Sequence, residues 1–406
     1  MYDVIVIGAR CAGASTAMLL ARQGYQVLVV DRATFPKDIP HGHFIHRQGP
    51  RLLQRWGLLD RIVATNCPPV TAFTGDDDGI TLTGRDLIVN GVAFGYGPRR
   101  IVLDKILVEA AVEAGAELRE GFTVESFTSD GARITGIRGC IGGRGPIITE
   151  QATVVIGADG RNSVLAQTVQ APKYEVVPPL TCWYFSYWSG VPVDELRVAV
   201  RGKKVVFAFP TNDGLTGIFV GWSSTELVTV RSDIEGQMLA AIDEVPDLAE
   251  QVRAGRREER LYGMTDLPNF FRKPYGLGWA LVGDAGCHKD PYMALGICDA
   301  FRDADLLVES LDDGLSGRRP LEQALAEYER RRNEATMLIY RQNLDRAQFK
   351  PLPPEMLQLR LALRDNQEET NRYYQAIEGM ISPETFFNPE NIQRISAQAN
   401  TEMVKS

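Results

Sequence analysis

The chain has 406 residues, of which 44% are hydrophobic and 24% are charged, and its formal net charge is −8. This length predicts more than one domain. The acidic balance, without a long Lys/Arg block, argues against nucleic acid or an anionic membrane as the main partner, and no apolar run is long enough to cross a bilayer. Six scattered cysteines without a Cys-x-x-Cys pair, and no recognisable leader, lead us to expect a cytoplasmic protein with reduced thiols.

Residues 2–31 predict a βαβ unit that binds a dinucleotide. Two apolar strands, 2–7 and 27–30, flank a glycine turn, and the turn has the sequence Gly8-Ala9-Arg10-Cys11-Ala12-Gly13. The helix after the turn offers unpaired N–H groups to a diphosphate, and Asp31 lies near the roughly 20-residue spacing at which an acid binds a ribose. Arg10 replaces the middle glycine of the G-x-G-x-x-G pattern, so its side chain must either turn away or bind the phosphates.

Three of the chain's four histidines, His41, His43 and His46, lie in the next loop. The spacing H-x-H-x-x-H is compatible with metal ligation. No Cys, Asp or Glu completes the ligand set at comparable spacing, so we expect no metal here. The remaining interpretations are a polar loop beside the cofactor or histidines without a role.

The stretch 70–97 has short alternating segments and predicts a hairpin of another layer. A helix follows at about 103–114, because apolar residues recur at intervals of three and four, and Gly115 ends it. The next predicted strands are 117–127, 133–139 and 147–150.

Two further buried strands, at about 153–157 and 278–282, are each followed closely by an acid, Asp159 and Asp284. Asp31 follows the second strand of the βαβ unit in the same way. In open α/β sheets, ligands bind at the carboxyl ends of parallel strands. The three acids therefore predict a large nucleotide cofactor spread along one edge of a parallel sheet.

Three strands rich in aromatic residues are predicted at 182–188, 205–210 and 217–222. An antiparallel sheet of this composition suits either a wall for an apolar or aromatic ligand or an ordinary core, and both interpretations stay open. The candidate pocket residues are Trp183, Tyr184, Phe207, Phe209 and Trp222. Helices are predicted at about 297–311 and 320–346, and amphipathic helices without assigned chemistry follow.

Three separated motifs occur in a characteristic order. They are the turn 8–13 with Asp31, the Asp-Gly motif Gly157-Ala158-Asp159-Gly160-Arg161-Asn162-Ser163, and the Gly-Asp motif from Gly283-Asp284 to Pro291-Tyr292-Met293-Ala294-Leu295-Gly296. In this order they resemble the FAD-dependent enzymes of the para-hydroxybenzoate hydroxylase fold. That superfamily includes aromatic monooxygenases, flavin halogenases and geranylgeranyl-reductase-like proteins. The resemblance covers residues 2 to about 345.

The resemblance implies an α/β protein with three parts. A discontinuous, Rossmann-like FAD-binding domain is expected from 1–70, 97–175 and 270–345. An inserted antiparallel β-sheet domain for the substrate is expected from 71–96 and 176–269, and a C-terminal helical extension from 346–406.

The resemblance also implies which residues hold FAD. They are Gly8, Ala9, Arg10, Cys11, Ala12, Gly13, Asp31, Arg32, Arg47, Arg100, Val124, Asp159, Gly160, Gly283, Asp284, Pro291, Ala294, Leu295 and Gly296. For Arg47 and Arg100, a surface ion pair is the alternative. No second G-x-G-x-x-G segment is present, so either NAD(P)H docks transiently or a separate flavin reductase delivers electrons.

The leading functional hypothesis is an FAD monooxygenase, in which the C4a-hydroperoxide of the flavin transfers oxygen from O2 to an apolar or aromatic small molecule, by hydroxylation or epoxidation. The alternative is a geranylgeranyl-reductase-like enzyme that reduces C=C bonds. A halogenase is less favoured because residues 70–97 contain no Lys, and a non-catalytic flavoprotein is the remaining possibility. The cofactor carries the chemistry, so no catalytic residue is assigned. The candidate proton carriers are His43, His46, His288 and Tyr292.

Overall fold

The structure is a computed structural model that describes the backbone of residues 1–403 and the side chains of residues 1–398. Within this part of the chain the strands are β1 (Tyr2–Ile7), β2 (Val27–Val30), β3 (Pro69–Val70), β4 (Phe73–Asp77), β5 (Ile80–Gly84), β6 (Ile88–Val89), β7 (Val92–Ala93), β8 (Gly95–Tyr96), β9 (Glu117–Arg119), β10 (Phe122–Asp130), β11 (Arg133–Ile141), β12 (Ile148–Gly157), β13 (Lys173–Val177), β14 (Thr181–Ser189), β15 (Leu196–Arg201), β16 (Lys204–Pro210), β17 (Thr216–Ser223), β18 (Arg256–Arg257), β19 (Tyr262–Met264), β20 (Asn269–Arg272), β21 (Tyr275–Gly276), β22 (Trp279–Leu281) and β23 (Cys287–His288).

The α-helices in the described residues are α1 (Cys11–Arg22), α2 (Gly49–Arg55), α3 (Leu59–Val63), α4 (Arg100–Glu113), α5 (Val164–Thr168), α6 (Leu227–Ser232), α7 (Ile234–Asp243), α8 (Pro246–Ala254), α9 (Gly296–Leu315), α10 (Leu321–Ala347), α11 (Pro354–Leu363), α12 (Gln367–Ile377), α13 (Pro383–Phe386) and α14 (Pro389–Met403). None of them is both long enough and apolar enough to span a bilayer.

The first sheet contains a parallel layer in the order β9-β2-β1-β12-β22. Ile7 lies opposite both Val30 and Gly157, and Gly157 lies opposite Leu281. Because the strands are parallel and end in register, the residues that follow them gather at one edge of the sheet. This arrangement confirms the predicted α/β class with a Rossmann-like layer.

Side chains of this layer alternate between two cores, as the period of a strand requires. Val4 and Val6 face a core shared with α1, α4 and α9. Ile5 and Ile7 face a second core shared with β10, β11 and α5. Burial on both faces explains why the strands read as continuous apolar runs.

Two predicted strand boundaries were wrong. The segments predicted at 147–150 and 153–157 form the single strand β12, whose first half pairs antiparallel with β11 and whose second half pairs parallel with β1 and β22. The strand predicted at 117–127 is divided into β9 and β10 at Gly121, which has a φ of 65°. A glycine with positive φ turns the chain between the two strands.

The second large sheet has the order β18-β14-β17-β16-β15-β4-β5, and β19 also pairs with β14. The hairpin β4–β5 joins the aromatic strands through parallel pairing of β4 with β15. Strands from both segments predicted for the substrate domain therefore share one sheet, although the domain boundaries themselves stay a prediction. Helices α6, α7 and α8 contribute to the core on one face of this sheet.

Helices α11 and α12 lie against the hairpin β4–β5, and α13 and α14 pack on these two helices. Tyr374 accepts a hydrogen bond from the Gly75 N–H and donates one to the Leu82 carbonyl, at 3.0 Å each. Arg360 donates to the carbonyls of Gly75 and Ile80 at 2.9 Å. The predicted C-terminal extension is thus packed on the second sheet, and its residues 404–406 lie outside the described residues.

Candidate active site

The glycine turn between β1 and α1 is packed too tightly for side chains. A Cβ on Gly13 would overlap the Gly8 carbonyl oxygen, and a Cβ on Gly8 would lie 2.5 Å from the Ala158 oxygen. Gly8 also has a φ of 101°. The first turn of α1 contains no acid and has no side-chain cap, so its N–H groups can bind an anion.

Two arginines share one buried carboxylate beside this turn. Asp104 is fully buried, and it forms an ion pair with Arg10. Arg100 binds the same carboxylate through Nε at 3.2 Å and Nη2 at 2.8 Å. Two cations on one anion leave an excess positive charge at the N-terminus of α1. Sequence reasoning missed Asp104, although its position four residues after Arg100 on a helix indicated a possible pair.

Asp31 is half-buried at the end of β2. One carboxylate oxygen accepts the Ala9 N–H at 2.8 Å, and the other accepts the Ala33 N–H at 2.8 Å. Each carboxylate oxygen can accept a further hydrogen bond, such as one from a ribose hydroxyl. The neighbouring Arg32 is exposed, and Val124 packs against the core behind the strands.

Three buried polar atoms of predicted motif residues and their neighbours have no hydrogen-bond partner among the described residues. They are Arg47 Nε, Asp159 Oδ1 and Arg161 Nε. The other oxygen of Asp159 accepts the Val164 N–H at 2.7 Å. Burial raises the pKa of Asp159, although the hydrogen bond from the Val164 N–H opposes the shift. An unpaired buried polar group costs about 1–3 kcal/mol, so these atoms indicate a place for a polar ligand.

His41 shows that the three motifs meet in one cleft. Its side chain is exposed to solvent, yet it lies within electrostatic range of Arg10, Arg100, Arg161 and Asp284. Desolvation in the cleft and the Arg100 cation lower the pKa of His41, which favours the neutral imidazole. Sequence reasoning singled out the loop but did not select this histidine.

The Gly-Asp motif begins at the same cleft. Gly283 has a φ of 60°, and a Cβ there would lie 2.8 Å from the Ala12 side chain, so the motif packs directly on the glycine turn. Asp284 follows and is exposed. The chain then turns through Pro291–Met293, with Ala294 in the left-handed region at a φ of 51°, and enters α9 at Gly296.

A buried carboxylate fixes this turn to the aromatic sheet. Asp290 accepts hydrogen bonds from the Tyr292 N–H at 3.1 Å and from Thr181 Oγ1 at 2.6 Å. Thr181 Oγ1 in turn accepts from Trp183 Nε1 at 2.6 Å. Burial raises the pKa of Asp290 to about 6.

The histidines proposed as proton carriers have separate partners. His43 Nδ1 lies 3.1 Å from the Gly97 carbonyl and must donate to it, so Nε2 accepts from Tyr187 Oη at 2.9 Å. Burial, assisted by the Arg99 cation, lowers the pKa of His43 to about 3. His288 binds the Pro268 carbonyl. The part of the chain that is described contains no cluster of three or more potential metal ligands.

The predicted wall residues lie on two different faces of the second sheet. Trp183, Phe207 and Phe209 share a core with Tyr292 and the C-terminal helices. Tyr184 and Trp222 were expected in the same wall, but they lie in the core of the opposite face. Successive side chains of a strand point to opposite faces, so the five candidates do not line one common wall, and their contact with a substrate stays a prediction.

A family model for the FAD binding domain matches residues 1–258. The chain belongs to the FAD binding domain family. This match confirms the predicted cofactor, FAD, and the predicted superfamily at the level of the family.

Two curated relatives align with part of this chain. Protein FixC of Salmonella typhi is 31% identical over 178 residues, which are 43% of this chain and 40% of FixC. Digeranylgeranylglycerophospholipid reductase 2 of Methanopyrus kandleri is 27% identical over 308 residues, which are 73% of each chain. The chain thus matches less than half the length of FixC.

Two solved structures share the fold. The myxobacterial chondrochloren halogenase, described as a variant of FAD-dependent halogenases, has a TM-score of 0.77 at 19% identity, covering 98% of this chain and 96% of the halogenase. PqsL of Pseudomonas aeruginosa, solved with 2-aminobenzoylacetate and described as a probable FAD-dependent monooxygenase, has a TM-score of 0.73 at 22% identity, covering 92% of this chain and 99% of PqsL.

Proposed function

We propose that the chain is an FAD-dependent monooxygenase that hydroxylates or epoxidises an apolar or aromatic small molecule. One observation carries the proposal: the turn Pro291–Ala294 belongs to both the charged cleft and the aromatic sheet. It follows Asp284 at the cleft, and it places the Tyr292 ring 6.4 Å from the rings of both Trp183 and Phe207. The cofactor region and an apolar face are thereby joined through the short segment from Asp284 to Ala294, which contains the two-residue strand β23.

The residues of the cleft fit FAD. The N–H groups of α1, with the excess positive charge of Arg10 and Arg100 on Asp104, suit the diphosphate. Asp31 suits a ribose, and the unpaired Asp159 Oδ1 can accept from a further hydroxyl. We assign these residues, with the backbone of 291–296, to the cofactor.

Reduced flavin, when bound, supplies the electrons that activate O2. The protein itself has to exclude water from the site and stabilise negative charge at the edge of the flavin ring. The buried rings of Trp183, Phe207 and Phe209 provide the dry face. The first turn of α9 carries Asp299, which is paired with Lys289 and Arg302, so the helix N–H groups can still stabilise negative charge at the edge of the flavin ring.

The electron donor we favour is NAD(P)H, docking transiently. A groove of about 440 Å³ beside the Asp-Gly motif is lined by Arg161, Lys173 and Arg272 around Phe270. Cations around an aromatic ring suit a phosphorylated, planar molecule. Mixing the oxidised holoprotein rapidly with NADH or NADPH should bleach the flavin, and the absence of bleaching with both would indicate a separate reductase.

An oxygen-labelling experiment tests the reaction itself. The holoprotein, NAD(P)H and a panel of apolar aromatic compounds are incubated under ¹⁸O2, and we expect one labelled oxygen atom in the product while the other leaves as water. The same panel with added polyprenyl compounds is then incubated under argon with dithionite-reduced protein. Saturation of a C=C bond under argon, without any labelled product under ¹⁸O2, would replace this proposal by the reductase.

A further inference from the structure

A buried hydrogen-bonded pair joins the C-terminal region to the turn Pro291–Ala294. Glu378, at the end of α12, is 3% exposed, and its Oε2 lies 2.8 Å from His46 Nδ1. The second ring nitrogen, His46 Nε2, lies 3.0 Å from the Met293 carbonyl oxygen. Three parts of the chain, the histidine loop, the Gly-Asp motif and the C-terminal helices, therefore meet at one imidazole.

The hydrogen-bond chemistry fixes the orientation of this imidazole. A carbonyl oxygen can only accept a hydrogen bond. His46 Nε2 must therefore carry a hydrogen atom and donate a hydrogen bond to the Met293 carbonyl. Burial raises the pKa of the Glu378 carboxyl, but His46 and the Arg47 N–H outweigh burial and hold the pKa below its usual value. Glu378 is thus an anion that accepts from His46 Nδ1, and the ring cannot rotate without breaking a buried hydrogen bond.

The turn needs to be held because its conformation is unfavourable. Ala294 lies in the left-handed region, with φ 51° and ψ 32°, which a residue other than glycine rarely adopts. The Met293 N–H is held by Asn343 Oδ1 at 3.0 Å, and the Ala294 N–H by the Pro291 carbonyl at 2.8 Å. The His46 Nε2 bond holds the remaining group, the carbonyl between these two residues.

We infer that Glu378 is a positioning residue of the active site, which acts through His46 and the Met293 carbonyl to fix the turn that leads into α9 beside the flavin. The inference rests on the proposed place of this turn at the cofactor and gives the C-terminal region a role in it. Glu378 need not touch FAD or substrate. Its effect is to keep the first N–H groups of α9 aimed at the flavin ring.

The test compares two buried glutamates in the holoprotein, Glu369 within α12 and Glu378 at the C-cap of this helix. Glu378→Ala should weaken binding of reduced FAD relative to oxidised FAD about tenfold, which lowers the two-electron midpoint potential by about 30 mV. In Glu378→Gln the midpoint potential should stay close to that of the unchanged protein, because the amide oxygen of glutamine can still accept a hydrogen bond from His46. The matched control is Glu369→Ala: Glu369 is 5% exposed and pairs with Arg372 and Arg394, so its loss should lower the melting temperature without moving the potential.

A double variant guards against simple unfolding. His46→Leu with Glu378→Leu removes both partners, leaves no buried charge unpaired, and should keep the fold while it releases the Met293 carbonyl. We expect the same fall in potential in this variant. An unchanged potential in the double variant, or an equal fall in Glu369→Ala, would overturn the inference. A fall in potential in a protein that forms no labelled product under ¹⁸O2 would instead keep the positioning role and reject the monooxygenase.

Discussion

The cofactor edge of the first sheet and the aromatic face of the second sheet differ in how their polar groups are satisfied. At the edge, Asp159 Oδ1 and Arg161 Nε are buried without a partner among the described residues. On the aromatic face, Trp183 Nε1 donates to Thr181, which donates to Asp290. Unpaired polar atoms indicate where a polar ligand binds, whereas a satisfied aromatic surface suits an apolar one.

This difference separates two kinds of defect. Changes at the edge should weaken FAD binding and leave the recognition of substrate intact in the protein that retains FAD. Changes on the aromatic face should weaken the recognition of substrate and leave FAD binding intact. Three comparisons of variants test that separation, and we describe them from the largest expected effect to the smallest.

Gly13→Ala should have the largest effect. The new Cβ would overlap the Gly8 carbonyl oxygen, and forcing α1 away from β1 should cost about 3 kcal/mol of stability as well as the FAD site. The measurements are the melting temperature and the flavin absorbance per mole of purified protein. Gly42→Ala is the control, because a Cβ there meets nothing within 4 Å. Full flavin content in Gly13→Ala would contradict the tight packing of the turn.

Arg10→Gly should weaken FAD binding about tenfold, or about 1.4 kcal/mol, because it removes a cation from the cluster at the diphosphate position. The dissociation constant is measured by titrating the FAD-free protein with FAD and following flavin fluorescence. Arg22→Ala, at the other end of α1, is the matched control and should bind FAD normally. An unchanged dissociation constant in Arg10→Gly would show that Arg10 serves only to pair with Asp104.

Trp183→Phe and Trp222→Phe compare the two faces of the second sheet. Both tryptophans are buried, at 2% and 4% exposure, so both substitutions should lower the melting temperature by a few degrees, about 1 kcal/mol each. Only Trp183→Phe should change KM for the substrate, about fivefold or about 1 kcal/mol, since Trp222 packs on the far side. Equal KM changes in both variants would reject the assignment of the substrate to one face.

The cofactor edge was largely predictable from the sequence because its signals are local. Gly8, Gly13 and Asp31 lie within one βαβ unit, and Asp159 and Asp284 each lie shortly after a buried strand. Parallel pairing then brings strand ends together without further information. The assignment of each of these residues to FAD stays a prediction of the site, whereas the family and the cofactor are confirmed.

The face of each aromatic residue was less predictable. Both faces of β14 are buried, so an alternation of apolar and polar residues could not show which face lies toward the cleft. Tyr184 was therefore grouped with Trp183, although their side chains point to opposite faces of the sheet. Hydrophobic patterning identifies a face only when the other face is polar.

By itself the sequence determined the fold class, the glycine turn and the three strand-end acids, because each depends on residues close together in the chain. Only the tertiary structure decided that Arg10 pairs with Asp104, that His41 lies where the three motifs meet, and that Glu378 binds His46. These contacts join residues that are far apart in the chain, and they form only when packing brings their elements together. A buried charge needs a partner, but its own sequence neighbourhood does not say which one.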